Sequence, residues 1–240
     1  MSSNDTEKFI HIVPTNKPHV VTPPHKVDHV VISVPQETEG TKRALLIGIN
    51  YYSDPINKLN GCINDVKNIR EMLINVFNYK QENIIALTDD QTGEHMPTKK
   101  NILDNINKIV ALLQTNDVLT VHYSGHGGSV KSEDNDEENN PDTPGQDDCW
   151  YPSDFRENGI IIDDELKEIL VNKIPQGAKL VMIADCCHSG SCLDLPFLWK
   201  QNDEFYNVSS SNKQSDNCIL ISGCKDNQTS ADSWSSERKE

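Results

Sequence analysis

DVLTVHYSGHGG, residues 117–128, runs from a strand into a glycine-rich turn around a histidine. DVLTVHYS (117–124) reads as the strand, and the glycines flanking His126 let the backbone turn tightly. KLVMIADCCHSG (179–190) has the same build, a strand over 179–185 that leads into adjacent cysteines. Outward from this pair, RALLIGIN (43–50) is short and apolar on both faces, as a strand buried between helices should be. NIIALTD (83–89) and CILISG (218–223) read as two further strands. Between them Cys62, Val66, Ile69, Leu73 and Val76 recur at helical spacing. Thr98 suits the N-cap of a helix that carries Ile102, Ile106, Ile109 and Leu113 on one face. An acidic loop and a helix starting near Asp163 separate the third strand from the fourth. Strands alternating with helices predict an α/β layered fold, its central sheet mostly parallel and flanked by helices.

In such sheets, ligands and catalytic groups collect at the carboxyl ends of the strands. Both glycine turns fall there. Neighbouring strands lie ~4.8 Å apart, so adjacent strands would bring His126 and one cysteine within reach of each other. The chemistry needs that pairing, because a free thiol is mostly protonated at neutral pH. An imidazole that takes the proton also favours the thiolate, and later protonates the leaving amine. The N–H groups of Gly127 and of the cysteine itself are candidates to hold the oxyanion. His188 is a weaker base candidate, since adjacent side chains on an extended segment point apart. Zinc is disfavoured for CCHSGSC, because four-ligand sites usually join two separated pairs and no second pair exists here. No GxGxxG or GxxxxGK turn follows any strand, which disfavours a phosphate-binding domain.

The chain carries 37 acidic and 22 basic residues, a formal charge of −15 that argues against nucleic acid or an anionic membrane as partner. No apolar run approaches the ~20 residues that span a bilayer. MSSNDTEKFI lacks the basic start and apolar centre of a secretory signal, and seven cysteines without framework spacing suit reduced thiols. The cytoplasm is the expected location, with the nucleus second. Residues 1–41 hold five of the twelve prolines and four of the eight histidines, which favours an extended tail or pro-segment ahead of a domain over 42–240.

HYSGHGG (122–128) and DCCHSG (185–190) resemble the two active-site blocks of metacaspases, cysteine peptidases of the caspase-like clan. RALLIGINYY, LNGCINDV (59–66), ALTDDQ (86–91), GIIIDDEL (159–166) and SGCKDNQTSAD (222–232) resemble further blocks, in family order. The proline-rich front and the lack of a long linker insertion are similar to type I members. The resemblance implies a caspase-like fold, with Cys187 as nucleophile and His126 as base. It further implies cleavage of protein or peptide substrates after Arg or Lys, with Asp65, Ser124 and Asp185 in the pocket. Two carboxylates in a partly dry pocket favour a cationic side chain and reject an acidic one. The family's calcium ligands fall on Asp147, Asp163, Asp164 and Asp194, and hard carboxylate oxygens suit Ca²⁺. From Glu133 to Asp148 there are eight acidic residues and no Lys or Arg, so mutual repulsion would hold this loop open without the ion. Lys200 and Lys213 are the candidate autoprocessing sites, and a monomer is expected. Family chains continue beyond the last block, whereas SWSSERKE (233–240) follows it here. A C-terminally incomplete domain is therefore expected, and a catalytically inactive scaffold or regulatory binding protein is the alternative function.

Overall fold

Strand β1 (Lys42–Gly48) carries the core, because Ala44, Leu45, Leu46 and Ile47 are all fully buried and point alternately to opposite faces. It belongs to a computed structural model that describes residues 40–132, 145–187, 192–193, 195, 197–200, 204–207 and 217–223. One compact unit begins at Gly40. Thr41 is tied in through its N–H, which donates to the Asp117 carboxylate at 2.6 Å.

Five parallel strands form the main sheet. β2 (Ile84–Thr88) and β3 (Val118–Ser124) pair on either side of β1, β7 (Lys179–Asp185) pairs with β3, and β10 (Cys218–Ser222) pairs with β7. All five lie where the sequence places them. Helix α1 (Cys62–Asn75) covers Ala44 and Leu46 with Val66 and Leu73, joined by Tyr79. Helix α2 (Lys99–Val110) covers Leu45 and Ile47 on the opposite face with Ile102, Ile106 and Ile109. The Thr98 hydroxyl caps α2 as expected, accepting from the Asn101 N–H at 3.2 Å. Val76, counted above with the α1 face, instead lies just past the helix end and is 62% exposed.

Successive crossovers therefore run to opposite faces, and the strand order reverses between β1 and β3. The carboxyl ends at such a reversal leave a crevice. Just past the carboxyl end of β3 begins a second, antiparallel sheet of β4 (Gly127–Lys131), β5 (Gln146–Trp150) and β6 (Ile161–Ile162). A one-turn helix α3 (Phe155–Asn158) joins β5 to β6. The helix expected near Asp163 is short, α4 (Asp163–Leu166), and runs on as a π-turn over Lys167–Val171. β8 (Phe197–Lys200) and β9 (Glu204–Asn207) form an antiparallel pair. No described helix is long and apolar enough to cross a membrane.

On the α1 face of β3, His122 is 1% exposed and its Nδ1 has no hydrogen-bond partner. Burial pushes its pKa down from 6.5 to about 4. The unfolded chain takes up this proton below its ordinary pKa, and the folded chain only below about 4. Stability from this group is therefore complete above pH ~6.5 and is lost as pH falls towards 4, by roughly 2 kcal/mol at pH 5. Thermal melts of the wild type should show a falling midpoint between pH 7 and pH 5, and His122→Gln should flatten that slope. Equal slopes in the two proteins would remove His122 as its cause.

Candidate active site

The register of β3 with β7 sets Ser124 opposite Asp185, so the two chains leave the sheet side by side. His126 comes two residues after Ser124, and Cys187 two residues after Asp185. Gly127 closes the gap between them. A Cβ built on Gly127 would lie 2.0 Å from the Cys187 carbonyl oxygen and 3.0 Å from the Cys186 sulfur. Only glycine permits this approach. Cys186 is buried in the core, whereas Cys187 is half-buried.

His126 is held from four directions. Its N–H donates to the Tyr51 hydroxyl at 2.9 Å, and the Tyr51 hydroxyl donates onward to the Tyr151 carbonyl at 2.7 Å. The Tyr123 hydroxyl donates to the His126 carbonyl at 2.7 Å. The Tyr51 ring lies against the imidazole, with centroids 4.6 Å apart. Burial holds both phenols well above their ordinary pKa, so they remain protonated donors. Finally, the ring Nε2 lies 2.7 Å from the Asn57 backbone carbonyl. A carbonyl only accepts, so Nε2 carries the proton and Nδ1 is the basic nitrogen of the neutral ring.

A cleft of about 250 Å³ opens beside this centre on the α1 face of the sheet, and Asp65, Asn68, His122, Asp185, Ile221 and Ser222 are among its lining residues. Ser124 is buried behind it and donates its hydroxyl to Asp65 at 2.9 Å. The strand register makes this arrangement, since His122 and Ser124 point to the same face as α1.

Carboxylate oxygens of Asp147, Asp163 and Asp164 lie within 4.8 Å of one another, with Asp147 and Asp163 buried. Asp147 is on β5, and the other two open α4. The backbone N–H of Asp148 donates to Asp163 at 2.5 Å, and that of Asp164 donates to Asp163 at 3.0 Å. Three hard anionic oxygens from two segments are a donor set that fits Ca²⁺.

Residues 42–196 match the family described as "Metacaspase, peptidase C14 domain". The chain belongs to the metacaspase family. It is 47% identical over 161 residues to Metacaspase-1 of Eremothecium gossypii, a match covering 67% of this chain and 34% of that protein. It is 46% identical over 173 residues to Metacaspase III c of Phaeodactylum tricornutum, covering 72% and 50% respectively. With Metacaspase-1 of Meyerozyma guilliermondii it shares 39% over 241 aligned positions, covering 80% and 57%. The chain thus spans between about a third and three-fifths of the length of these relatives. A crystal structure of a protein from Geobacter sulfurreducens matches with a TM-score of 0.57 and 27% identity, over 80% of this chain and 76% of that one.

Of the metacaspase site residues expected from sequence, the structure brings Asp65 and Asp185 into one cleft, with Ser124 behind. It gathers Asp147, Asp163 and Asp164. Asp194 and Lys213 lie outside the described residues, and Lys200 lies in β8, opposite Glu204. Sequence reasoning missed Tyr51, Asn57, Tyr123, Tyr151 and His122. Asn57 acts through its backbone, which leaves no mark in a sequence. His122 had a usable signal, its two-residue spacing from Ser124 on one strand.

Gly127→Ala should destabilise the fold by roughly 1–3 kcal/mol in urea denaturation, because backbone must move to admit the methyl. Gly128→Ala should cost less, since its added carbon meets the far end of the Tyr151 side chain, the hydroxyl at 2.9 Å and ring Cε2 at 3.0 Å, and no backbone atom as near. Equal losses in the two variants would contradict the close approach of Gly127 to Cys187.

Proposed function

We propose that this chain is a Ca²⁺-activated cysteine endopeptidase that cleaves protein or peptide substrates after Arg or Lys, with Cys187 as nucleophile and His126 as base. The Asn57 carbonyl on His126 Nε2 carries this reading. It fixes the tautomer whose Nδ1 accepts a proton, at the strand end next to Cys187.

In the reaction, Nδ1 takes the Cys187 thiol proton and the thiolate sulfur bonds to the scissile carbonyl carbon. The N–H groups of Gly127 and Cys187 hold the oxyanion that forms. As the C–N bond breaks, the His126 imidazolium returns its proton to the leaving amine, leaving a thioester on Cys187. Water then attacks the thioester, giving its proton to Nδ1. The C–S bond breaks, the acid product leaves, and the thiol regains its proton. The Asn57 carbonyl also supports the transient imidazolium, since Nε2 donates more strongly when the ring is charged.

Specificity follows from the cleft. Asp65 and Asp185 flank it, and His122 within it is neutral near pH 7. A guanidinium or ammonium entering there gains two counter-charges, whereas a carboxylate meets repulsion. Asp147, Asp163 and Asp164 would hold the calcium ion, with Asp194 as the expected fourth ligand. The ion would offset the repulsion among carboxylates that meet at the junction of β5 and α4.

Fluorophore release from an Arg-terminated peptide should require calcium and be lost with chelator. Cys187→Ala and His126→Ala should each lower turnover by roughly 10³-fold or more. Turnover that survives Cys187→Ala would exclude the assigned nucleophile. Asp65→Asn and Asp185→Asn should each raise KM for the Arg peptide by about tenfold, the equivalent of one modest charge contact. Asp163→Asn combined with Asp164→Asn should abolish the calcium response. An unchanged calcium dependence in that double variant would place the ion elsewhere.

A further inference from the structure

We propose that Asp54 and Arg156 form a clamp that positions the His126 ring, acting through the carbonyl of Asn57. The proposal rests on the reading of His126 as the base, and concerns residues that touch neither substrate nor thiol. Asn57 lies in an otherwise exposed stretch, with Tyr52, Ser53, Pro55, Ile56 and Lys58 all exposed. Side-chain burial therefore does little to fix the direction of its carbonyl. The Asp54 carboxylate does that work with both oxygens. Oδ1 accepts the Ile56 N–H at 3.2 Å, and Oδ2 accepts the Asn57 side-chain amide at 2.7 Å. The Asp54 carbonyl accepts the Asn57 N–H at 3.1 Å, and the Asp54 N–H donates to the Tyr51 carbonyl at 2.9 Å. Residues 51–57 are thus one hydrogen-bonded turn, with the Tyr51 hydroxyl on the His126 backbone at one end and the Asn57 carbonyl on its ring at the other.

Arg156 fastens this turn to the rest of the molecule. Its Nε and Nη2 donate to Asp54 Oδ2 at 3.0 and 2.7 Å. The guanidinium also lies over the Phe155 ring, 5.0 Å from its centroid, and Phe155 packs edge-on against Tyr51 and Tyr151. The short segment 151–156 therefore grips the turn twice, through the Tyr151 carbonyl at Tyr51 and through Arg156 at Asp54. The Asn57 amide and Arg156 hold the Asp54 carboxyl at about 2, so the clamp stays ionised throughout the working pH range.

Arg156 is 57% exposed, and exposed ion pairs add little to global stability. Its effect belongs in the orientation of the His126 ring, which separates a positioning role from a merely structural one. The test is ring-nitrogen NMR on the ¹⁵N-histidine-labelled 240-residue chain, with the His126 signal assigned by His126→Gln. The wild type should show one neutral tautomer, protonated at Nε2. Asp54→Asn and Arg156→Ala should populate the second tautomer with thermal midpoints close to wild type, and Arg156→Lys should restore most of the first. In turnover of the Arg-terminated peptide, kcat should fall about 3- to 10-fold with KM within about twofold. A single unchanged tautomer in Arg156→Ala overturns the clamp and leaves the assignment of the base intact. Full turnover in His126→Ala would instead overturn the base, while the tautomer measurement still judges the clamp.

Discussion

The parallel pairing of β3 with β7 is the constraint on which the rest of the site depends. Seven consecutive partners, from Val118 opposite Lys179 to Ser124 opposite Asp185, fix where both strands end. A slip of one residue would turn every side chain to the other face. His122 and Ser124 would then face the α2 side, Tyr123 would lose its place against Trp150, and Asp185 would leave the cleft. Burial forbids the slip, because Leu119, Val121, Tyr123, Leu180 and Met182 fill one contiguous core with Ile106 and Leu166. Fully burying one such side chain contributes roughly 1.5–3 kcal/mol, so mis-registering five is prohibitive. Core packing that has no part in catalysis thereby sets the geometry of the turns that carry His126 and Cys187.

Around those turns the molecule separates two kinds of polar environment. Among the described residues, His126 contacts two buried phenols and the Asn57 backbone carbonyl, with a glycine next to it. The carboxylates of the cleft and of the candidate cation site lie in two groups, one beside α1 and one where β5 meets α4. Dipoles of this kind orient the ring, and proton transfer needs its accepting nitrogen in place. Carboxylates that bind a cation need the opposite treatment, concentrated negative charge at a short separation.

The sheet was legible because each of its five strands is a run of five to seven residues whose apolar pattern has one explanation. α2 was equally clear, with Thr98 as cap and isoleucines at positions 102, 106 and 109. The second sheet was not. β4 begins GGSV and β5 reads QDDCW, and neither stretch alternates in a way that distinguishes a strand from a polar loop. Their pairing is set by tertiary contact, as Trp150 stacks on Tyr123 at 4.3 Å and Asp148 is wholly buried. Side chains with distinctive chemistry, His126, Cys187 and the aspartates, could be picked out from the sequence. The groups that orient them could not, because a backbone carbonyl at Asn57 or a phenol at Tyr51 carries no signature until the chain is folded.

The stretch from Asp147 to Asp164 ties these parts together. Its two ends are held side by side, by the pairing of Cys149 with Ile162 and by the Asp148 N–H on the Asp163 carboxylate. Its middle supplies Tyr151, Phe155 and Arg156 to the turn that holds His126. Closing a loop of this length costs little extra entropy once its ends are fixed, so the order of the middle depends on the closure at the base. That closure is where three carboxylates meet at short range, so their mutual repulsion opposes it and a divalent cation would favour it. The proposed ion site and the contacts that hold His126 therefore bear on the same short element, from its two ends and from its centre.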